Sequence, residues 1–69
     1  MKHLTNREEE IMEIFWEKGS LFVKEVIDLL TDPKPHYNTI STIVRGLEEK
    51  GFVGHEQFGN THRYFAVIS

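Results

Sequence analysis

Residues 37–64, YNTISTIVRGLEEKGFVGHEQFGNTHRY, leave little freedom to the chain that contains them. Ile40, Ile43, Val44 and Leu47 follow the i, i+3, i+4, i+7 spacing that lines one face of an α-helix, and Gly51 supplies its stop. Phe52 and Val53 then open an extended run to about Gln57. Gly59 and Asn60 make a two-residue hairpin loop, and a return strand is predicted over residues 61–68. Two strands alone are marginal in water, so this ribbon must lie against helices, with Phe52, Tyr64 or Phe65, and Val67 as the side chains that hold it there.

The remaining residues have to build those helices. At 69 residues the chain is read as one domain over residues 1–69, and a chain this short buries only about 60% of the surface its unfolded form exposes. Thr5 followed by Glu8 is a capping-box pattern that opens a first helix, with Ile11, Met12, Ile14, Phe15 and Trp16 as core residues and Gly19 as its end. Residues 20–22 form a brief extended piece. Val26, Ile27, Leu29 and Leu30 indicate a second helix from Val23, which stops near Asp32 because Pro33 and Pro35 push their preceding residues out of helical geometry. The third helix starts between His36 and Asn38. The expected fold is α+β, mainly α: a winged helix-turn-helix with a three-helix core and a two-stranded β wing, in the order helix, short strand, helix, helix, strand, strand.

Composition excludes several classes. There is no cysteine, hence no disulfide framework, no thiolate metal site and no cysteine nucleophile. A glycine-rich phosphate loop and a pair of histidines at i,i+4 are also missing, so no enzyme, cofactor or metal site is expected. His36, His55 and His62 fall on a loop and two strands and are read as surface histidines. No apolar run approaches the roughly 20 residues of a membrane span, and MKHLTNREEE lacks the apolar core of a signal peptide. A soluble cytoplasmic protein is the expectation.

The net charge of −3 at first disfavours a polyanionic partner. Its distribution matters more. Residues 1–32 carry a balance of −4, residues 33–69 a balance of +1, and the second half also holds His36, His55 and His62. On the third helix, Asn38, Ser41, Thr42 and Arg45 fall at i, i+3, i+4 and i+7 with Thr39 beside them, a short hydrogen-bonding stripe turned away from the apolar one. Asn can pair with an adenine edge, Ser and Thr with bases or phosphates, and Arg can fork onto guanine or phosphate. Glu48 and Glu49 sit only at the C-terminal end, and a recognition helix enters the major groove by its N-terminal part. The ribbon tip adds Asn60, Thr61 and His62, with Arg63 close by as either a phosphate contact or a cross-strand partner of Glu56. The competing reading is a winged helix used for protein contact. That use calls for aromatic or aliphatic anchors on the third helix, and this face is Asn, Thr, Ser, Thr and Arg.

Four stretches, LTNREEEIMEIFWEKG, VKEVIDLL, YNTISTIVRGLEEKGFV and HEQFGNTHRYFAVIS, together resemble the N-terminal domain of the penicillinase repressor family, which includes the methicillin-resistance and copper-transport operon repressors. The resemblance covers essentially the whole chain. It implies a bacterial transcriptional repressor that binds inverted-repeat operators on double-stranded DNA as a homodimer, one winged helix per half-site. In such proteins a separate C-terminal helical region makes the dimer, and release from DNA follows cleavage between the regions or metal exchange at C-terminal cysteines; that region is absent from these residues. The implied partners are operator DNA and a second copy of the chain, with neither membrane nor small-molecule substrate. Family contacts fall on Asn38, Thr39, Ser41 and Thr42 and on the wing after Gly59. Gly46 stands where the family usually has arginine, and Arg45 lies one residue earlier, a rotation of about 100° on a helix. Asn60 replaces a common arginine, Phe22 a helix-capping Ser or Thr, and Ala66 a frequent proline. Weaker phosphate binding, or a different operator, is the expected consequence.

Overall fold

The computed structural model describes residues 4–30 and 35–67. Helix α1 spans Asn6–Lys18, strand β1 Leu21–Phe22, helix α2 Val23–Leu29, helix α3 Tyr37–Glu49, strand β2 Val53–Phe58 and strand β3 Thr61–Ala66. The expected turn at Asp32, Pro33 and Lys34 and the end of the return strand at Ile68 lie outside the described residues. Among the described residues no helix is long and apolar enough to cross a membrane.

Helix α1 begins as its sequence requires. The Glu8 backbone N–H donates to Thr5 Oγ1 at 3.2 Å and the Thr5 N–H donates to Glu8 Oε1 at 2.8 Å, so two amides at the helix start are satisfied reciprocally. Glu8 is also largely buried, and its carboxylate takes Lys50 Nζ at 2.9 and 3.0 Å. That ion pair joins the start of α1 to the end of α3. The Lys50 hydrogen bond, backed by that from Thr5, holds the Glu8 carboxyl below its ordinary range against the opposing effect of burial.

The core is contributed by every element: Ile11, Met12 and Phe15 from α1, Leu21 from β1, Val23 and Val26 from α2, Ile40, Val44 and Leu47 from α3, Val53 from β2 and Tyr64 from β3, with Leu30 alongside. Two residues expected to pack inward, Trp16 and Val67, lie elsewhere. Trp16 is 47% exposed because the buried stripe of α1 runs through Glu8, Ile11, Met12 and Phe15, and one step past Phe15 turns the side chain about 100° off it. Leu29 is exposed for the same reason, α2 turning Val23 and Val26 inward. Val67 is exposed too, and the ribbon is held by Tyr64, with Phe52 and Ala66 half-buried beside it. Helix α2 also ends at Leu29, short of Asp32, where Leu30 takes an extended backbone at φ −83°, ψ 149° and turns its side chain into the core.

The extended piece before α2 does more than connect. β1 pairs antiparallel with β3, Leu21 opposite Tyr64 and Phe22 opposite Arg63, so the sheet has three strands in the order β1-β3-β2. Beyond that pairing the ribbon is two-stranded and projects as the wing. Its register runs from Val53 opposite Ala66 to Phe58 opposite Thr61. Gly59 has φ 59° while among the described residues no non-glycine has positive φ, the pattern of a type II′ turn with glycine first.

The end of α3 sets where the wing begins. Gly51 at φ 86° lets its N–H reach Glu48 O at 3.0 Å and the Phe52 N–H reach Leu47 O at 3.0 Å, a Schellman closure that an L side chain at this φ would strain. The Val67 N–H then donates to Phe52 O at 2.8 Å and fastens the returning strand to the same corner.

Replacing Glu8 with Ala removes half of the capping box and the partner of Lys50, and is expected to cost about 1–3 kcal/mol in urea unfolding near neutral pH. Because the folded carboxyl titrates low, its contribution is full above the unfolded Glu range of about 4.3 and is lost as pH falls through the folded value, so the two proteins converge in acid. Gly46 lies inside α3 with nothing within 4 Å of an added Cβ and without positive φ. Gly46→Ala is expected to raise stability by about 0.5–1 kcal/mol in the same measurement.

Candidate nucleic-acid interface

Helix α3 buries Ile40, Val44 and Leu47 and exposes Asn38, Thr39, Thr42 and Arg45. Ser41 is half-buried, at the edge of a cleft between α3 and the wing. The polar stripe expected from spacing is thus present and divided in its surroundings. Asn38, Thr39 and Thr42 are exposed along the helix, while Ser41 and Arg45 share a cavity of about 170 Å³ with Tyr37, Asn60, Thr61, His62 and Tyr64. Helix and wing tip therefore present one surface. The N-terminus of α3 adds to it: His36 makes no side-chain cap and the first turn holds no acidic residue, so the positive end of the helix is left unmasked. Helices α1 and α2 both carry glutamates there.

Strand alternation sorts the wing into two faces. His62 and Tyr64 of β3, with His55 of β2, turn toward α3. Arg63 turns away, onto the opposite face. Its guanidinium lies 5.7 Å from the ring centre of Phe58 and 6.0 Å from that of Phe22, and the two rings meet edge to face at 6.0 Å. Such cation–π contacts hold an exposed guanidinium without neutralising it. Glu56 is the register partner of Arg63, yet among the described residues the two form no ion pair. At the tip, Thr61 Oγ1 donates to Phe58 O at 3.1 Å and Gln57 Nε2 donates to Gly59 O at 3.1 Å, which staples the turn.

Several participants are invisible in a linear reading. Tyr37, the first residue of α3, is 56% exposed and lines the cleft. His55 Nδ1 lies 2.6 Å from Glu48 Oε2, and its ring stacks on that of His62 at 4.4 Å with 21° between planes. Two of the three second-half histidines therefore meet, while His36 stands at the start of α3. Among the described residues no group of three His, Cys, Asp or Glu side chains could hold a metal ion. Register was the available signal: with Gly59 and Asn60 as the loop, His55 falls opposite Tyr64 and diagonal to His62 on one face. The Phe22 cluster needed the β1–β3 pairing, which the sequence does not spell out. Phe22 stands at the N-cap of α2 without a side-chain cap, and Glu25 Oε1 accepts its N–H at 2.9 Å instead.

Three helices with a β ribbon fastened to the end of the last define a winged-helix domain. The sequence pattern of the family described as "Penicillinase repressor" matches residues 4–69, and the chain belongs to that family. It is 36% identical over 67 residues to the "Uncharacterized 16.5 kDa protein in ptsI 3'region" of Latilactobacillus sakei, a match covering 94% of this chain and 45% of that protein. The chain thus spans about half the length of that relative. The solution structure of the DNA-binding domain of the repressor BlaI is similar throughout, with a TM-score of 0.82 and 29% identity over 100% of this chain and 89% of that one. Family membership assigns the chain to regulators that are not enzymes.

Tyr64 offers an independent check on how tightly wing and helix are packed. Burial pushes its phenol above the usual range near 10, with Glu48 and Tyr37 adding to the push and Arg45 opposing it. In a Tyr37→Phe protein, ultraviolet titration is expected to show phenolate absorbance emerging only above that range. Since the neutral phenol is favoured by folding, stability falls as pH rises past the unfolded value of about 10.

Proposed function

We propose that this chain is the DNA-reading domain of a bacterial transcriptional repressor acting in the cytoplasm, and that residues 1–69 serve as the winged-helix unit of a longer dimeric assembly. The observation that carries the reading is the continuous polar surface made by the exposed side chains of α3 and the wing tip across a narrow cleft, with the unmasked positive end of α3 beside it. Helix α3 enters the major groove of an operator half-site. Asn38, Thr39, Ser41 and Thr42 meet base edges and nearby phosphates, and Arg45 takes a guanine or a phosphate. Asn60, Thr61 and His62 follow the backbone from the wing, and Arg63 reaches a flanking phosphate from the far face of the ribbon. A second copy occupies the other half of an inverted repeat.

Exposed Tyr37 is an aromatic anchor of the kind a protein-contact module would use. Tyr37 lines one cleft with Ser41, Arg45, His62 and Tyr64 and an adjoining one with Phe22, Val23 and Thr61, and its exposed ring and hydroxyl suit stacking on a base or a hydroxyl-to-phosphate bond.

Selection from random duplexes followed by fluorescence titration tests the proposal. Affinity is expected to fall with salt along a line in log–log form, and Arg45→Ala is expected to reduce its slope by about 1 if the guanidinium holds a phosphate. Asn38→Ala and Thr42→Ala are each expected to cost about 1–3 kcal/mol at a single base position while leaving other positions alone. Binding that ignores salt, or is unaltered by all three substitutions, refutes the reading.

A further inference from the structure

A carboxylate beside a surface that meets phosphates is an electrostatic liability, and Glu48 is such a group. It lies one turn beyond Arg45 on α3, on the side that faces the wing. The structure answers it with a specific partner. His55 Nδ1 approaches Glu48 Oε2 at 2.6 Å, and the same imidazole stacks face to face on His62 at 4.4 Å. Tyr64 closes the arrangement from the core side, its ring centre 5.6 Å from His55 and 6.3 Å from His62. His62 in turn lines the cleft with Ser41 and Arg45. The side chains Glu48, His55 and His62 thus form a continuous chain from the recognition helix to the projecting part of the wing.

The charges around it can be named. Glu48, Arg45 and the Tyr37 phenol face it from α3, His62 and Tyr64 from β3, Lys24 and Glu25 of α2 line an adjoining pocket with His62, and the register partners Glu56 and Arg63 sit on the other face of the ribbon. With both imidazoles neutral the trio carries the charge of Glu48. With one proton added it is neutral, and the His55 contact becomes an ion pair. Two protons on stacked rings repel unless an anion lies close, and a DNA phosphate at the cleft would be that anion.

We propose that His55 is a positioning residue for DNA recognition: by pairing with Glu48 and stacking on His62 it sets the wing against α3 and masks a carboxylate next to the phosphates, so that DNA binding takes up a proton. This rests on the DNA-reading function proposed above. The linkage has a definite sign. Protonation of the trio favours the complex, so affinity falls as pH rises through the range in which histidines change charge.

The test is anisotropy titration of the whole chain on its selected duplex at about pH 6 and about pH 8, with folding checked by circular dichroism. The unaltered protein is expected to bind about fivefold more tightly at the lower pH. Glu48→Gln is expected to bind more tightly than the unaltered protein at the higher pH and to flatten the profile. His55→Asn is expected to bind about tenfold more weakly at the lower pH, with a shallower profile because His62 still lines the cleft. A profile that Glu48→Gln leaves unchanged overturns the proposal, as does wild-type affinity of His55→Asn at both pH values. If His55→Asn fails to fold, Glu48→Gln alone decides. Arg45→Ala and Asn38→Ala separate this result from the underlying one: if they weaken binding while the Glu48 and His55 variants behave as wild type, the DNA reading stands and the role of His55 falls.

Discussion

Three peptide hydrogen bonds join helix α3 to the ribbon that follows it. The amide of Gly51 reaches Glu48, that of Phe52 reaches Leu47, and that of Val67 returns to Phe52, all within 2.8–3.0 Å. The first two close the helix and the third locks the far strand to the corner they create. A ribbon joined to a helix through a flexible linker would sweep a wide cone, and no side chain on it would have a fixed relation to Arg45 or Ser41. Here the corner is a Schellman turn, whose geometry is set by one glycine in the left-handed region.

The rest of the molecule holds that corner from three sides. Tyr64 drives the ribbon into the core, and β1 clips β3 from its outer edge at Tyr64 and Arg63. Lys50, whose amide donates to Gly46 at the last turn of α3, sends its side chain to Glu8 at the first turn of α1. A cation at a helix C-terminus and a carboxylate at a helix N-terminus are each favourable beside the local dipole, so this pair is stabilised by both helices it connects. Helix α1 contacts DNA in no part of the proposed interface, yet the orientation of α3 depends on it.

Local patterns in this chain were legible where one backbone rule dominates. The cap at Thr5 and Glu8, the apolar stripe of α3, the stop at Gly51 and the loop at Gly59 all follow from nearest-neighbour sterics or helical period, and each stands where spacing puts it. Reading failed where two faces compete for the same large side chain. Trp16 is as apolar as its buried neighbours, but a helix in a small domain can bury only one stripe, and Glu8 occupies part of the stripe on α1, where it meets Lys50. The site shows the same division. Exposure of Asn38, Thr39, Thr42 and Arg45 follows from period alone, whereas the Glu48–His55 pair, the stacked histidines and the Phe22–Arg63–Phe58 cluster depend on strand register and on β1 joining the sheet. The Phe22 cluster is a long-range pairing that no local propensity encodes, and the Glu48–His55–His62 contacts follow from hairpin register rather than from helical period.

The placement of cations has a mechanical consequence for a chain of net charge −3. Arg45 is the single basic residue in the sequence of α3, and Arg63 is turned to the opposite face of the ribbon from the cleft in which Arg45 stands. In the proposed interface, a duplex lying against α3 would meet Arg45 directly and meet Arg63 only where its backbone wraps around the wing. On that reading Arg45 and Arg63 neutralise few phosphates per domain, and each would contribute to the counterion release on which non-specific affinity depends. The neutral side chains of α3 lose nothing by this, since hydrogen bonds to base edges do not require a large cationic field. A single domain so equipped would, in the proposed role, distinguish sequences better than it holds them. In the proposed dimer, coupling two copies on adjacent half-sites would supply what is missing, because the second domain would then bind at the high effective concentration set by the first, without any new contact to DNA.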